Sequence, residues 1–128
     1  MLNTNPDENK FFIVTHDEIT VQYQIPQAMH AALDFAAKNR DEFLTWQKGS
    51  NNIVVLCCKT MKDLSKLSSS LQNEGYIVSE FYEPDIGMEL TAIAISPCDS
   101  IRKKLSNLPL AGKLKKLQKD LQIQIQSL

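Results

Sequence analysis

The run Asn-Ile-Val-Val-Leu-Cys-Cys at residues 52–58 is apolar from its second residue to its last, without the alternation of a strand that keeps one face in water. So short and uniformly apolar a segment reads as a strand covered on both faces. It demands helices on two sides of a sheet, and the rest of the chain has to supply them.

A second run of this kind, Lys-Phe-Phe-Ile-Val-Thr at 10–15, predicts another buried strand. After the polar loop His16 to Gln24, Pro26 suits the first turn of a helix, where its missing N–H costs nothing. That helix is predicted over 26–38, with Ala28, Met29, Ala32, Leu33, Phe35 and Ala36 on its inner face. A second short helix comes next over 39–47 and ends at Gly49 and the polar residues after it. Thr60 with Asp63 opens a third as a capping pair, Leu64, Leu67 and Leu71 keep helical spacing, and Gly75 supplies a left-handed terminus.

Strands are predicted at 76–82 and 90–96, joined by the loop 83–89. Ser96, Pro97 and Asp99 then look like the start of a helix reaching to about residue 106. Helical crossovers between the early strands and a hairpin at the end predict an α/β fold. Its architecture would be a three-layer α/β/α sandwich around a four-stranded mixed β-sheet, with a C-terminal helical extension.

Length and composition agree with this. At 128 residues and 43% hydrophobic the chain holds one core of ordinary size. The predicted organisation is a disordered start over 1–9, one domain over 10–111 and an amphipathic helix over 112–128. In the last segment Leu110, Leu114, Leu117, Leu121 and Leu128 recur at helical intervals, while Leu121, Ile123 and Ile125 alternate as in a strand. Abundant lysine and glutamine favour helix there. An apolar stripe on a tail needs a partner, either the parent domain or a second copy.

No apolar run approaches the roughly 18 residues of a membrane span, and the polar, acidic first ten residues do not resemble a signal peptide. A soluble, cytoplasmic protein with no membrane partner is expected. Three cysteines, two of them adjacent, are too few for a disulfide framework, and no Cys/His spacing suits zinc; neither a metal nor a cofactor is called for.

Charge is unevenly placed. Residues 1–101 carry 7 basic and 14 acidic residues, whereas 102–128 carry 7 basic and 1 acidic. Arg102, Lys103, Lys104, Lys113, Lys115, Lys116 and Lys119 make either a solvated helix face or a surface for phosphates.

The sequence contains no Gly-x-Ser-x-Gly elbow, Walker loop or Gly-x-Gly-x-x-Gly, which argues against nucleophile-elbow hydrolases, nucleotide triphosphatases and dinucleotide enzymes. What remains is position, since ligands of open α/β sheets sit at the carboxyl ends of strands. The loop 16–24, Gln27 and His30 at the start of the first long helix, and the acids Glu83, Asp85 and Glu89 all fall there. Taken alone, His30 reads more readily as a packed histidine than as a catalyst, and the acids as solvated turn residues.

The stretches Phe-Phe-Ile-Val-Thr-His-Asp-Glu-Ile-Thr-Val-Gln-Tyr-Gln-Ile-Pro-Gln-Ala-Met-His-Ala-Ala at 11–32, Phe-Tyr-Glu-Pro-Asp-Ile-Gly-Met-Glu-Leu-Thr-Ala-Ile-Ala-Ile-Ser-Pro at 81–97 and Arg-Lys-Lys-Leu-Ser-Asn-Leu-Pro-Leu-Ala at 102–111 resemble the second-type peptidyl-tRNA hydrolases of archaea and eukaryotes. The most specific matches are Gln27, His30 and Ala31 to the family's Gln-x-x-His-Ala signature, and Thr91 to its strand-opening threonine. The resemblance implies a small α/β sandwich that cleaves the ester between peptide and tRNA without a metal. It implies a catalytic set of His30, Glu83, Asp85 and Thr91, and substrate contacts from Gln27, Tyr23, Arg102, Lys103 and Asn107. In this role Thr91 would bond substrate or water, and the partner would be tRNA or peptidyl-tRNA. The chain departs from the family at its site lysines, where Val21 and Tyr23 stand, and in the acidic loop, which is shortened to Glu-Pro-Asp-Ile-Gly-Met-Glu-Leu with Glu83 the closer counterpart of the family's aspartate. The residues support two other readings: a binding module on the same fold that has lost the chemistry, and a homodimer joined through the C-terminal helix.

Overall fold

The computed structural model describes residues 8–112. Four strands, β1 (Phe11–His16), β2 (Ile53–Cys58), β3 (Val78–Glu83) and β4 (Glu89–Ile95), form one mixed sheet in the order β2-β1-β4-β3. β1 and β2 run parallel, while β4 is antiparallel to both β1 and β3. The helices are α1 (Val21–Lys38), α2 (Arg40–Lys48), α3 (Met61–Asn73) and the single turn α4 (Ile101–Lys104).

Each sheet face has its own core. Phe11, Ile13, Ala92 and Ala94 pack with Ala28, Ala31 and Phe35 of α1 and Trp46 of α2. Phe12, Val14, Leu56, Cys58, Ile93 and Ile95 pack on the other side with Leu64 and Leu71 of α3, Ile101 of α4 and Leu105. The continuous apolar runs of β1 and β4 are thereby explained, because successive side chains enter opposite cores. The three-layer α/β/α sandwich is the observed architecture. The tail segment predicted as a helix, beyond Gly112, and the first seven residues lie outside the described residues.

The local signals at α3 operate as read. The Asp63 N–H donates to Thr60 Oγ1 at 3.0 Å, and Gly75, at φ 96°, turns the chain so that the Tyr76 N–H reaches the Leu71 carbonyl at 3.0 Å.

Three expectations are corrected. α1 begins at Val21, five residues before Pro26, so the proline lies inside the helix and leaves the carbonyl of exposed Gln22 without its helical donor. The inner face of α1 is also rotated: Gln24, Gln27, Ala28, Ala31 and Phe35 are buried, whereas Met29 and Leu33 are mostly exposed. At the other end of the chain, Ser96 does not cap a helix. Its N–H donates to the Ile77 carbonyl at 2.9 Å, extending the sheet, and α4 starts only after Ser100.

The pairing of β3 with β4 has one irregularity. Phe81 pairs with Ala92 and Tyr82 with Leu90, so Thr91 is an extra residue in β4, a β-bulge. Leu90 remains in the α3 core and Ala92 in the α1 core, and Thr91, between them, sends its hydroxyl to α1.

Candidate functional site

The carboxyl end of β1 gathers most of the polar side chains buried in the protein: Thr15, His16, Gln24, Gln27 and Thr91. Burying them is tolerated only because they bond to one another and to the backbone. The Thr91 hydroxyl donates to Gln27 Oε1 at 2.6 Å, with the Phe81 carbonyl at 3.5 Å as a weaker acceptor. Thr15 Oγ1 in turn donates to the Thr91 carbonyl at 2.8 Å, fixing the bulge against β1. With its oxygen held by Thr91, Gln27 has only its N–H donors left to offer.

One turn further along α1, His30 is exposed and its ring stacks on Phe81 of β3, with centroids 4.6 Å apart and planes 14° from parallel. Its nitrogens make no hydrogen bond to the described residues, so no acid orients the imidazole. Tyr23, Gln27 and His30, spaced by four and three residues, share one stripe of α1. Glu83 lies two residues beyond Phe81 and therefore shares its face of β3, where it pairs in register with Glu89. Asp85 is off the strand, exposed in the 3₁₀ turn Pro84–Ile86.

The structure thus brings together Gln27, His30 and Thr91, with Tyr23 along the same stripe and Glu83 on the neighbouring strand. It separates Arg102, which lines a crevice with Lys10, Phe12 and Cys98 at the opposite end of β1. Lys103, on the same exposed turn, lies in α4 with it, and the neighbouring Lys104 pairs with Glu74 at 2.8 Å. Asn107 lines a different cleft of about 680 Å³, beside Asp17, Cys57, Cys58 and Lys59 at the ends of the parallel strands. Thr91 is completely buried, so its hydroxyl is not open to the direct substrate contact that the resemblance implies.

Sequence reasoning placed the loop 16–24 at this end of the sheet but gave His16, Asp17 and Gln24 no individual role. Gln24 Nε2 donates to the carbonyls of His16 and Ile19, each at 3.1 Å, and to Asp17 Oδ1 at 3.3 Å, tying down the loop that leads into α1. Asp17 also accepts from the Cys57 thiol at 3.1 Å. The signal for these roles lies in the tertiary structure, since a glutamine after a polar loop reads as surface. All three cysteines are thiols, and burial, reinforced by Asp63 and Asp17, pushes that of Cys58 up to about 11. Among the described residues no three of His, Cys, Asp and Glu are grouped so as to hold a metal ion.

His16 is buried in the layer facing α3. Its Nδ1 accepts from the Glu18 N–H at 3.1 Å, and Glu18 Oε1 accepts from the Met61 N–H at 2.7 Å, linking β1 to the start of α3. Its Nε2 is buried without a partner at hydrogen-bond distance, although the nearby Leu90 carbonyl favours the charged ring weakly. Desolvation outweighs this and the attraction of Glu18, Glu89 and Asp17, and holds the imidazole below its ordinary 6.5. Because the unfolded chain then binds more protons than the folded one, the stability present above pH 6.5 is lost as the pH falls from there through the folded value. Urea midpoints should therefore drop between neutral and mildly acidic pH. His16→Asn, which keeps an acceptor for the Glu18 N–H, should flatten that drop.

No protein-family model and no curated protein matches this chain. Among solved structures it is similar to the protein of unknown function Atu0240 from Agrobacterium tumefaciens strain C58, with a TM-score of 0.60 and 12% identity over 80% of this chain and 97% of that one. At that identity the likeness concerns the fold. Among the described residues no helix is long and apolar enough to cross a membrane.

Proposed function

We propose that the protein hydrolyses the ester joining a peptidyl or acyl group to tRNA, at the surface formed by Gln27 and His30. The observation that carries this reading is the 2.6 Å bond between Thr91 and Gln27. It joins, across 64 residues, two of the three stretches in which the chain resembles the hydrolases.

In this mechanism His30 takes a proton from the attacking water, and the water oxygen bonds to the ester carbonyl carbon. Gln27, whose Oε1 accepts from Thr91, donates through Nε2 to the carbonyl oxygen as negative charge develops there. Collapse of that intermediate breaks the ester bond, and His30 returns the proton to the departing tRNA hydroxyl. Glu83 is placed on the strand beside Phe81 to act on the protonated imidazole once substrate has closed the site. Such a substrate occurs where translation does, which makes the cytoplasm the place of action.

A second reading is favoured by Val21 and Tyr23, both exposed where the hydrolases carry lysine. A site without fixed positive charge suits a module that holds its ligand without cleaving it.

The two separate on one assay, release of the acyl group from N-blocked aminoacyl-tRNA by the purified protein. Release is expected, falling by about 10²–10⁴-fold in His30→Ala, the usual contribution of a general base. No release at high protein concentration, with tRNA still retained in a binding assay, would establish the second reading instead.

A further inference from the structure

We propose that the apolar groove between α1 and the edge strand β2 is the seat of this chain's own C-terminal segment, residues 113–128. This inference is independent of the hydrolase reading. On α1, Val21, Ile25, Met29 and Leu33 are 45%, 60%, 59% and 64% exposed. Spaced four residues apart, they form a ridge of the kind on which a second helix packs. Ile53 at the start of β2 is 53% exposed beside them, and the groove between, about 330 Å³, is floored by Ile13, Ala28 and Val55. So much continuous apolar surface on a small domain marks a contact site.

The path of the chain says what covers it. Residues 109–111 add to the open edge of β2: the Cys57 N–H donates to the Pro109 carbonyl, Leu56 bridges Leu110, and the Ala111 N–H donates to the Val55 carbonyl, each of the two bonds 2.9 Å long. That run is antiparallel to β2, so it heads back toward Ile53. Ala111 and Gly112 line the groove themselves, and a Cβ on Gly112 would stand 3.8 Å from Val21 Cγ1. Gly112, the last of the described residues, therefore stands at the Val21 end of the ridge, and the segment after it is tethered there.

The pattern of that segment fits a helix laid along the ridge. Leu114, Leu117, Leu121, Ile125 and Leu128 fall on one side of such a helix, and Lys115, Lys116 and Lys119 on the other. Leucines would meet the ridge while the lysines stay in water. The close tether gives the segment a high effective concentration at the groove, which a second copy lacks.

The test uses the full chain with Cys98→Ser, in which Cys57 and Cys58 are buried, and a reporter thiol at Met29→Cys or, as an exposed control on α3, Lys66→Cys. Labelling by a bulky maleimide is expected to be at least about tenfold slower at Met29→Cys than at Lys66→Cys, and independent of protein concentration, because the cover must open first. Adding Leu114→Asp and Leu117→Asp should bring the Met29→Cys rate up to the control. Equal rates in the chain with its natural tail would overturn the proposal, whether or not the aspartate variant folds. Protection that disappears on dilution, together with a dimer in sedimentation, would overturn it in favour of a second copy in the groove.

Discussion

Phe35→Ala is expected to lower the unfolding free energy by about 3–5 kcal/mol, whereas Leu33→Asp on the same helix should lower it by no more than about 1 kcal/mol. Phe35 is completely buried and its ring lies 5.1 Å from that of Phe11, which in turn lies 5.1 Å from Trp46. Removing the phenyl group opens a cavity that the backbones of β1 and α1 hold apart. Leu33 is 64% exposed at the far end of the α1 ridge, so an aspartate there reaches water and at most loosens the tail proposed to lie along it. Urea titration with Trp46 fluorescence as the signal reads both variants. A loss for Leu33→Asp as large as that for Phe35→Ala would show that Leu33 belongs to the core, contrary to its exposure.

The second large effect is expected at the Thr91–Gln27 pair. Thr91→Val keeps the shape of the side chain but leaves buried Gln27 Oε1 without a donor, at a cost of about 1–3 kcal/mol. Gln27→Leu should cost less, since the Thr91 hydroxyl then has the Phe81 carbonyl at 3.5 Å to turn to. Removing both partners should cost less than the sum, leaving a coupling of about 1 kcal/mol in a double-mutant cycle. For ester cleavage, loss of the Gln27 donor should reduce the rate by about 10²–10³-fold, in the range found for single oxyanion donors. Thr91→Val should act in the same direction through kcat, because Thr91 only aims Gln27. Strict additivity in stability would show that the short contact carries no energy of its own.

Phe35 and Leu33, and Thr91 and Gln27, differ in how far along the chain their partners lie, and the legibility of the protein varies in the same way. Strands β1, β2 and β4 were readable because each carries apolar residues on consecutive positions, a pattern complete within six or seven residues of chain. The limits of α3 were readable because Thr60, Asp63 and Gly75 act on backbone groups within a few residues of themselves. The start of α1 was not readable: Pro26 looks like a first-turn residue, yet Gln24, bonded to the loop carbonyls before it, draws the helix back to Val21.

The inner face of α1 was misjudged for a related reason. Apolar residues surround most of this helix, so periodicity alone gives several orientations nearly equal claims. Two glutamines decide between them. Gln24 and Gln27 turn inward because each finds a partner outside the helix, the β1 backbone for Gln24 Nε2 and the Thr91 hydroxyl for Gln27 Oε1. Met29 and Leu33 turn outward as a consequence.

The candidate site divides in the same way. Gln27, His30 and Thr91 could be picked out by motif, but their meeting depends on the bulge that makes Thr91 supernumerary in β4. By itself the sequence determined the elements, their order and the need for two covered sheet faces, because these follow from local sterics and from where apolar side chains must go. Only the tertiary structure decided which face of α1 is buried, that Arg102 lies at the far end of β1 from His30, and that Thr91 is buried against Gln27. Those outcomes rest on hydrogen bonds and packing between residues distant in sequence, whose energies no local pattern records.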